Sequence, residues 1–249
     1  MVDALVLAGS PNSGPLHECS PALYEALIDI SGKAMVTYVV EALMFSKTIN
    51  RIVVVGPREL TEVLPKEVLA VLTAGDVLDN VTTGLQYLPD AKKVLMVTSD
   101  IPMLTSEAVE NFLELCKEKI AELYYPIISK ETVEKKYPQA KRTYVHLKEG
   151  RFTGGNLMLF EPSIIPGCMS KGRKLINARK HPLQLSHFLG IGFLLKFIFG
   201  QVRLVEAERR ATGLLGIKGS VVISPYAEIG VDVDKPSDLA LAFQQLKTS

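Results

Sequence analysis

Val2-Asp3-Ala4-Leu5-Val6-Leu7-Ala8-Gly9-Ser10 opens the chain, and its reading decides the fold. The unbroken apolar run Ala4-Leu5-Val6-Leu7-Ala8 fits a strand covered on both faces, as in a parallel sheet. It feeds a Gly-Ser-Pro-Asn-Ser-Gly loop from Gly9 to Gly14. Small residues there let the backbone approach phosphates and aim its N–H groups at them. A buried N-terminal strand ending in such a loop opens many nucleotide-binding α/β domains. The loop matches neither G-x-G-x-x-G nor G-x-x-x-x-G-K-[ST], which excludes the dinucleotide fingerprint and the P-loop.

The rest of the chain keeps the same rhythm. Apolar runs at Ala4–Leu7, Arg51–Val55, Val94–Thr98, Leu123–Ile127, Thr143–Leu147, Met158–Phe160, Val202–Val205 and Ser220–Ile223 read as strands. Lys33–Phe45, Val77–Leu88, Ser106–Glu118, Ser163–Gly167, Pro182–Gly200 and Lys235–Leu246 read as helices. Strand–helix alternation over the first half predicts right-handed βαβ units. The 249 residues fit one domain over 1–249, with the second half elaborating the same sheet. A net charge of +1 argues against a nucleic-acid-coating surface. Phe188–Phe199, broken by Lys196, is too short to span a bilayer and reads as a buried helix, with a dimer face as the other use. Oligomeric state stays open. No basic segment precedes an apolar run at the start, and Cys19, Cys116 and Cys168 show no metal-ligand spacing. Both features predict a cytoplasmic protein without membrane partners.

Ligands of open α/β sheets sit beyond the carboxyl ends of the strands. Asp100 follows Val94–Thr98 at such an end, with Pro102 stiffening the exit. There it would hold Mg²⁺ against nucleotide phosphates, or cap the turn. Asp232 and Asp234 share one face of an extended segment, where two carboxylates repel unless a cation lies between them; the alternative is a solvated turn. Gly154-Gly155-Asn156 enters an apolar strand and allows close approach of a ligand, or makes a bulge. Lys135-Lys136, Lys141-Arg142 and Arg173-Lys174 with Arg179-Lys180 could grip an acidic substrate or lie solvated.

Together these stretches resemble the molybdenum-cofactor guanylyltransferase-like (MobA-like) nucleotidyltransferases, within the sugar-phosphate nucleotidyltransferase superfamily, over nearly the whole chain. Leu7-Ala8-Gly9-Ser10 is similar to that family's opening, and Glu25 through Met35 to its Lys-x-Leu…Gly-Lys-Pro-Met segment. Gly75 through Asn80 resembles the stretch over the base, and Asp100-Ile101-Pro102 the Asp-x-Pro metal motif. Gly154-Gly155-Asn156 and Asp232 through Leu239 resemble the acceptor-side and second metal motifs. The resemblance implies a Rossmann-like three-layer α/β/α sandwich with a mixed, mostly parallel central sheet. It implies Mg²⁺-dependent transfer of an NMP from an NTP to a phosphorylated or similar acidic acceptor, with release of pyrophosphate. Carried over residue by residue, Leu7, Ala8, Gly9, Ser10, Gly75 and Asn80 would contact the nucleotide. Gly154, Gly155 and Asn156 would face the acceptor. Asp100 with Asp232 or Asp234 would bind the metal, and Lys33 and Asp100 would serve catalysis.

Two positions depart from the family. The opening loop has no Arg or Lys, and Glu25 stands where the family has its catalytic lysine. An anion there repels a triphosphate. Those departures favour a second reading, a protein of this fold that binds a nucleotide or nucleotide-sugar without turnover. A glycosyltransferase-like use, with Asp232 and Asp234 holding a nucleotide-sugar through a metal, is the third.

Overall fold

The computed structural model describes residues 1–73, 75–168, 171, 173 and 190–247. Its strands are β1 (Val2–Leu7), β2 (Asp29–Ile30), β3 (Lys33–Ala34), β4 (Ile49–Gly56), β5 (Leu69–Leu72) and β6 (Val94–Thr98). They continue with β7 (Leu123–Ser129), β8 (Val145–Leu147), β9 (Gly150–Gly154), β10 (Leu157–Phe160) and β11 (Gly219–Ile223). The helices are α1 (Met35–Phe45), α2 (Leu60–Val63), α3 (Val77–Leu85) and α4 (Ser106–Lys117). After them come α5 (Lys130–Lys136), α6 (Ile191–Ile198), α7 (Leu204–Leu215) and α8 (Pro236–Leu246).

Nine strands form one sheet in the order β5-β4-β1-β6-β10-β7-β9-β8, with β11 beside β7. β4, β1 and β6 are parallel neighbours, and β10 enters antiparallel between β6 and β7. The apolar run of β1 has the expected cause. Ala4 and Val6 face a core that includes Val36 and Val40 of α1 and Phe112 of α4. Leu5 faces the opposite core with Val81 of α3. A strand covered by helices on both faces has no polar side, so its sequence does not alternate. The mixed sheet between helical layers is the expected sandwich.

A third, smaller core joins Leu16, Ile28, Ile30 and Met35 to Val233, Leu239 and Ala242. It ties the segment after β1 to the segment before α8, so the two stretches that carry the candidate site are packed together.

Gly84 of α3 sits directly on β1. A Cβ there would collide with Leu5 Cδ1 and come within 3.0 Å of Val55 Cγ2. Leu5 is fully buried and cannot withdraw. Gly84→Ala is therefore expected to lower stability by about 1–3 kcal/mol through overpacking, although alanine favours a helix by about 1 kcal/mol. Urea unfolding measures this, and a raised midpoint would contradict the seating of α3 on β1.

Three local expectations are corrected. Val202–Val205 is not a strand: Val202 is buried, while Leu204 and Val205 begin α7. The strong helix formers Glu206-Ala207-Glu208-Arg209-Arg210-Ala211 outweigh four residues of β preference. Of Pro182–Gly200, residues 182–189 lie outside those described. The described part holds α6, and Leu195 and Ile198 on it and Phe199 just after it are exposed by 50%, 64% and 73%. It is not the buried helix the composition suggests, because it packs near β8, the last strand of the sheet, which offers little surface to cover it. Finally, α1 begins at Met35 rather than Lys33, because Lys33–Ala34 pairs with Asp29–Ile30 across a turn in which Ser31 and Gly32 have positive φ. No helix among the described residues is long and apolar enough to cross a membrane.

Candidate active site

β6 lies between β1, which runs into the Gly9 loop, and β10, which follows Gly154-Gly155-Asn156. Main-chain bonds stitch the end of β6 to both neighbours. Ser99 N donates to the Leu7 carbonyl at 3.1 Å, and Thr98 N donates to the Asn156 carbonyl at 3.0 Å. Asp100 thus emerges between the two loops. Its carbonyl accepts from Val233 N at 2.8 Å, which draws the Asp232–Asp234 segment against it. One carboxylate oxygen from each of Asp100, Asp232 and Asp234 lies within 4.8 Å of the other two.

Arg142 braces this group. Its guanidinium is almost fully enclosed, with 7% of the side chain exposed. Nη1 pairs with the Asp232 carboxylate, and Nη2 donates to the Asp232 carbonyl at 2.7 Å. Nη2 also pairs with buried Asp238 at 2.9 Å. Asp238 in turn accepts from Asp234 N at 3.4 Å. Arg142 is therefore taken up inside the protein, where sequence left it as a substrate grip or a surface charge.

Burial pushes the Asp100 carboxyl up to about 6, with Asp234 and Glu25 adding to the rise and a hydrogen bond from Thr98 opposing it. Burial likewise raises the Asp232 carboxyl above its ordinary value, opposed by Arg142 and reinforced by Asp100 and Asp234. Carboxylates driven together against their own repulsion are a hard-oxygen donor set that suits a divalent cation.

Asp100 binds its proton more tightly in the folded protein than at its ordinary value of 3.8. Its contribution to stability is present at low pH and is lost as pH rises through about 6. Asn at this position keeps the shape without the titration. Between pH 5 and pH 8 in chelator, Asp100→Asn is expected to gain about 1 kcal/mol of stability relative to wild type. Denaturant melts at the two pH values check this; a constant difference would contradict it.

On the β1 side, Ala8 is fully buried and offers only its backbone. Gly9 lies against Thr73 and Asn80: a Cβ on it would come within 2.9 Å of Thr73 Oγ1 and 3.2 Å of Asn80 Nδ2. Thr73 Oγ1 donates to Asn80 Oδ1 at 2.8 Å, and Asn80 Nδ2 donates to the Gly75 carbonyl at 3.4 Å. The structure thus gathers Gly9, Gly75 and Asn80 into one corner and adds Thr73, which sequence reasoning missed. Glu25 belongs to the same edge. Its N–H donates to the Ser10 carbonyl at 3.1 Å. Burial raises its carboxyl, a hydrogen bond from Ser10 opposes this, and Asp234 adds to the rise.

Lys33 does not join this group. Its ammonium pairs with Glu41 at 2.7 Å and lies 5.4 Å from the centre of the Tyr38 ring. The β2–β3 turn directs it across to α1.

On the β10 side, Gly154 and Gly155 are required by close packing. A Cβ on Gly154 would strike the Tyr125 hydroxyl, and one on Gly155 would come within 2.7 Å of Pro126 and of Ile229. Asn156 donates to the Ile229 carbonyl through N at 2.9 Å and through Nδ2 at 3.2 Å. Gly154 and Asn156 line a cavity of about 280 Å³ together with Asp232, Asp234 and Lys235.

Comparison with known proteins identifies the family and the fold. The family model described as the MobA-like NTP transferase domain matches residues 22–189. A structure from Thermus thermophilus, titled a hypothetical transferase, superposes with a TM-score of 0.84 at 38% identity, covering 96% of this chain and 99% of that one. A 2-C-methyl-D-erythritol 4-phosphate cytidylyltransferase of Rhodococcus jostii is 37% identical over 76 residues. That match spans 29% of this chain and 34% of the relative's length. A CMP:2-keto-3-deoxy-manno-octonic acid synthetase solved with CTP shares the fold, with a TM-score of 0.61 at 13% identity over 99% of this chain and 98% of that one.

Proposed function

This chain belongs to the MobA-like NTP transferase family, and from that premise we propose that it moves an NMP from an NTP to an oxyanion acceptor with release of pyrophosphate. The observation that carries the proposal is the convergence of Asp100, Asp232 and Asp234 between the Gly9 loop and the Gly154–Asn156 loop. The three carboxylates would hold Mg²⁺, which when bound neutralises charge on the transferring phosphoryl group. Gly9, Thr73 and Asn80 shape the nucleotide side, where the lack of a Cβ at Gly9 lets Thr73 and Asn80 pack against the loop. Gly154, Gly155 and Asn156 shape the acceptor side. Arg142 fixes the carboxylate of Asp232, so that this group need not reorganise during reaction. Opposite placement of the two loops about Asp100 suits in-line attack, in which positioning supplies much of the rate.

A pyrophosphate-release screen tests this, with each of the four NTPs, Mg²⁺ and a panel of phosphate monoesters. Release that needs both an acceptor and Mg²⁺ supports the transferase. Tight nucleotide binding with no release across the panel would contradict it. That outcome would support the second reading, a nucleotide-binding relative without turnover, which Glu25 and the uncharged loop favour.

A further inference from the structure

Charge is not spread evenly along this chain. From Pro162 to Lys218, between β10 and β11, it carries ten lysines and arginines but only two acidic residues, Glu206 and Glu208. The whole chain has a net charge of +1, so everything outside this segment is acidic overall. Both glutamates are occupied: Glu206 pairs with Lys196 at 3.3 Å, and Glu208 accepts from Val221 N at 3.1 Å. Glu149, in the β8–β9 turn, accepts from Leu204 N at 2.9 Å. Of the cations, Arg173 is taken up by Asp76 and Asp79 of the nucleotide side. Arg203 and Arg209 are exposed and pair with no carboxylate among the described residues.

The same basic segment holds α6. Leu195, Ile198 and Phe199 are spaced three and four residues apart, so they form one stripe, and all three are exposed. Phe193 and Phe197 belong to another stripe and stack with their ring centres 6.4 Å apart. Arg209 and Arg210 of α7 share a hollow with Phe193, and a Cβ on Gly190, just before α6, would come within 3.3 Å of Arg210 Nη2. Val205 of α7 is exposed as well, and Arg209 follows it by one helical turn on the same face. An exposed apolar stripe beside arginines is the pattern of a helix that lies in a membrane interface, with its cations over anionic headgroups.

We propose that α6 and α7 form a peripheral membrane-binding face, whose partner is the surface of an anionic phospholipid bilayer. Leu195, Ile198 and Phe199 enter the headgroup boundary, and Arg203 and Arg209 meet the lipid phosphates. A second copy of the chain fits this face less well, because it would bring two basic segments together. Nucleic acid would use the cations but leave the aliphatic stripe in water. α6 has eight residues, far too few to cross a bilayer, so contact is with one surface. The expectation of no membrane partner is revised to that extent. The lipid contact is independent of the chemistry at Asp100.

The chain has no tryptophan, so Phe199→Trp places a single reporter on the face itself. The variant is titrated with vesicles of phosphatidylcholine, alone or mixed equally with phosphatidylglycerol. Its emission is expected to shift to the blue with the mixed vesicles, whereas Phe45→Trp, exposed on α1, is expected not to shift. In co-sedimentation, the full chain is expected to bind mixed vesicles at least about tenfold more tightly than neutral ones. Leu195→Ser/Ile198→Ser and Arg203→Gln/Arg209→Gln are each expected to weaken that binding about tenfold, with thermal melts like wild type because all four side chains are exposed. No binding of wild type to mixed vesicles overturns the proposal, and equal affinity for neutral vesicles overturns the anionic partner. An unshifted Phe199→Trp on bound protein overturns α6 as the inserted element. A dimer in sedimentation velocity that Leu195→Ser/Ile198→Ser dissolves gives the face to a second copy and overturns the lipid partner. Binding of a duplex oligonucleotide in place of mixed vesicles assigns the cations to nucleic acid and overturns it likewise.

Discussion

Asp100→Asn is expected to lower kcat/KM for NTP-dependent pyrophosphate release by about 10³-fold, the scale of losing a preorganised electrostatic contact in a closed site. Asp100 is the residue on which the two halves of the site converge. Its carbonyl holds Val233, its carboxylate accepts from Thr98, and β6 sets it between the two loops. Asn preserves the size and the Thr98 bond, so the loss isolates charge rather than fold. The main-chain bond to Val233 is untouched, and the variant should melt as cooperatively as wild type. A variant that keeps more than about a tenth of wild-type activity would remove Asp100 from the chemistry.

Glu25→Lys is the second large effect, and its direction is upward. Glu25 places a fourth carboxylate near Asp100 and Asp234, and each of these interactions raises a carboxyl. A lysine would replace mutual repulsion with attraction and set a positive charge where phosphate charge develops. A gain of about 10²-fold in kcat is expected. If wild type binds NTP without turnover, the same variant should acquire turnover, so the comparison also separates the transferase from the binding protein. Loss of activity in Glu25→Lys would instead show that this chain uses the carboxylate.

Much of the fold was legible because the central strands are buried on both faces. β1 and β6 stand out as apolar runs, and β6 begins and ends where the run does. The edge strand β5 was not legible. Only Val71 of Leu69-Ala70-Val71-Leu72 is buried, and both leucines are exposed. Missing β5 hid Thr73, the residue after it, which bonds Asn80. Asp100 was readable from the rule that ligands gather at strand ends, and Asp232 with Asp234 from their spacing. Arg142 was not, because its partner Asp232 is 90 positions away and no local pattern joins them. The resemblance gave Lys33 a catalytic role, and nothing local in the sequence points to its partner Glu41. The turn that precedes it, with Ser31 in an uncommon positive-φ conformation, aims it at Glu41.

Asp100, Asp232 and Asp234 are expected to act as one divalent-cation site serving the nucleotide. Mn²⁺ binding followed by electron paramagnetic resonance, with and without a non-hydrolysable NTP analogue, tests it most directly. Saturable binding is expected, tightening with the analogue and weakening by about tenfold or more in both Asp100→Asn and Asp232→Asn. Mn²⁺ affinity unchanged in both variants would contradict it.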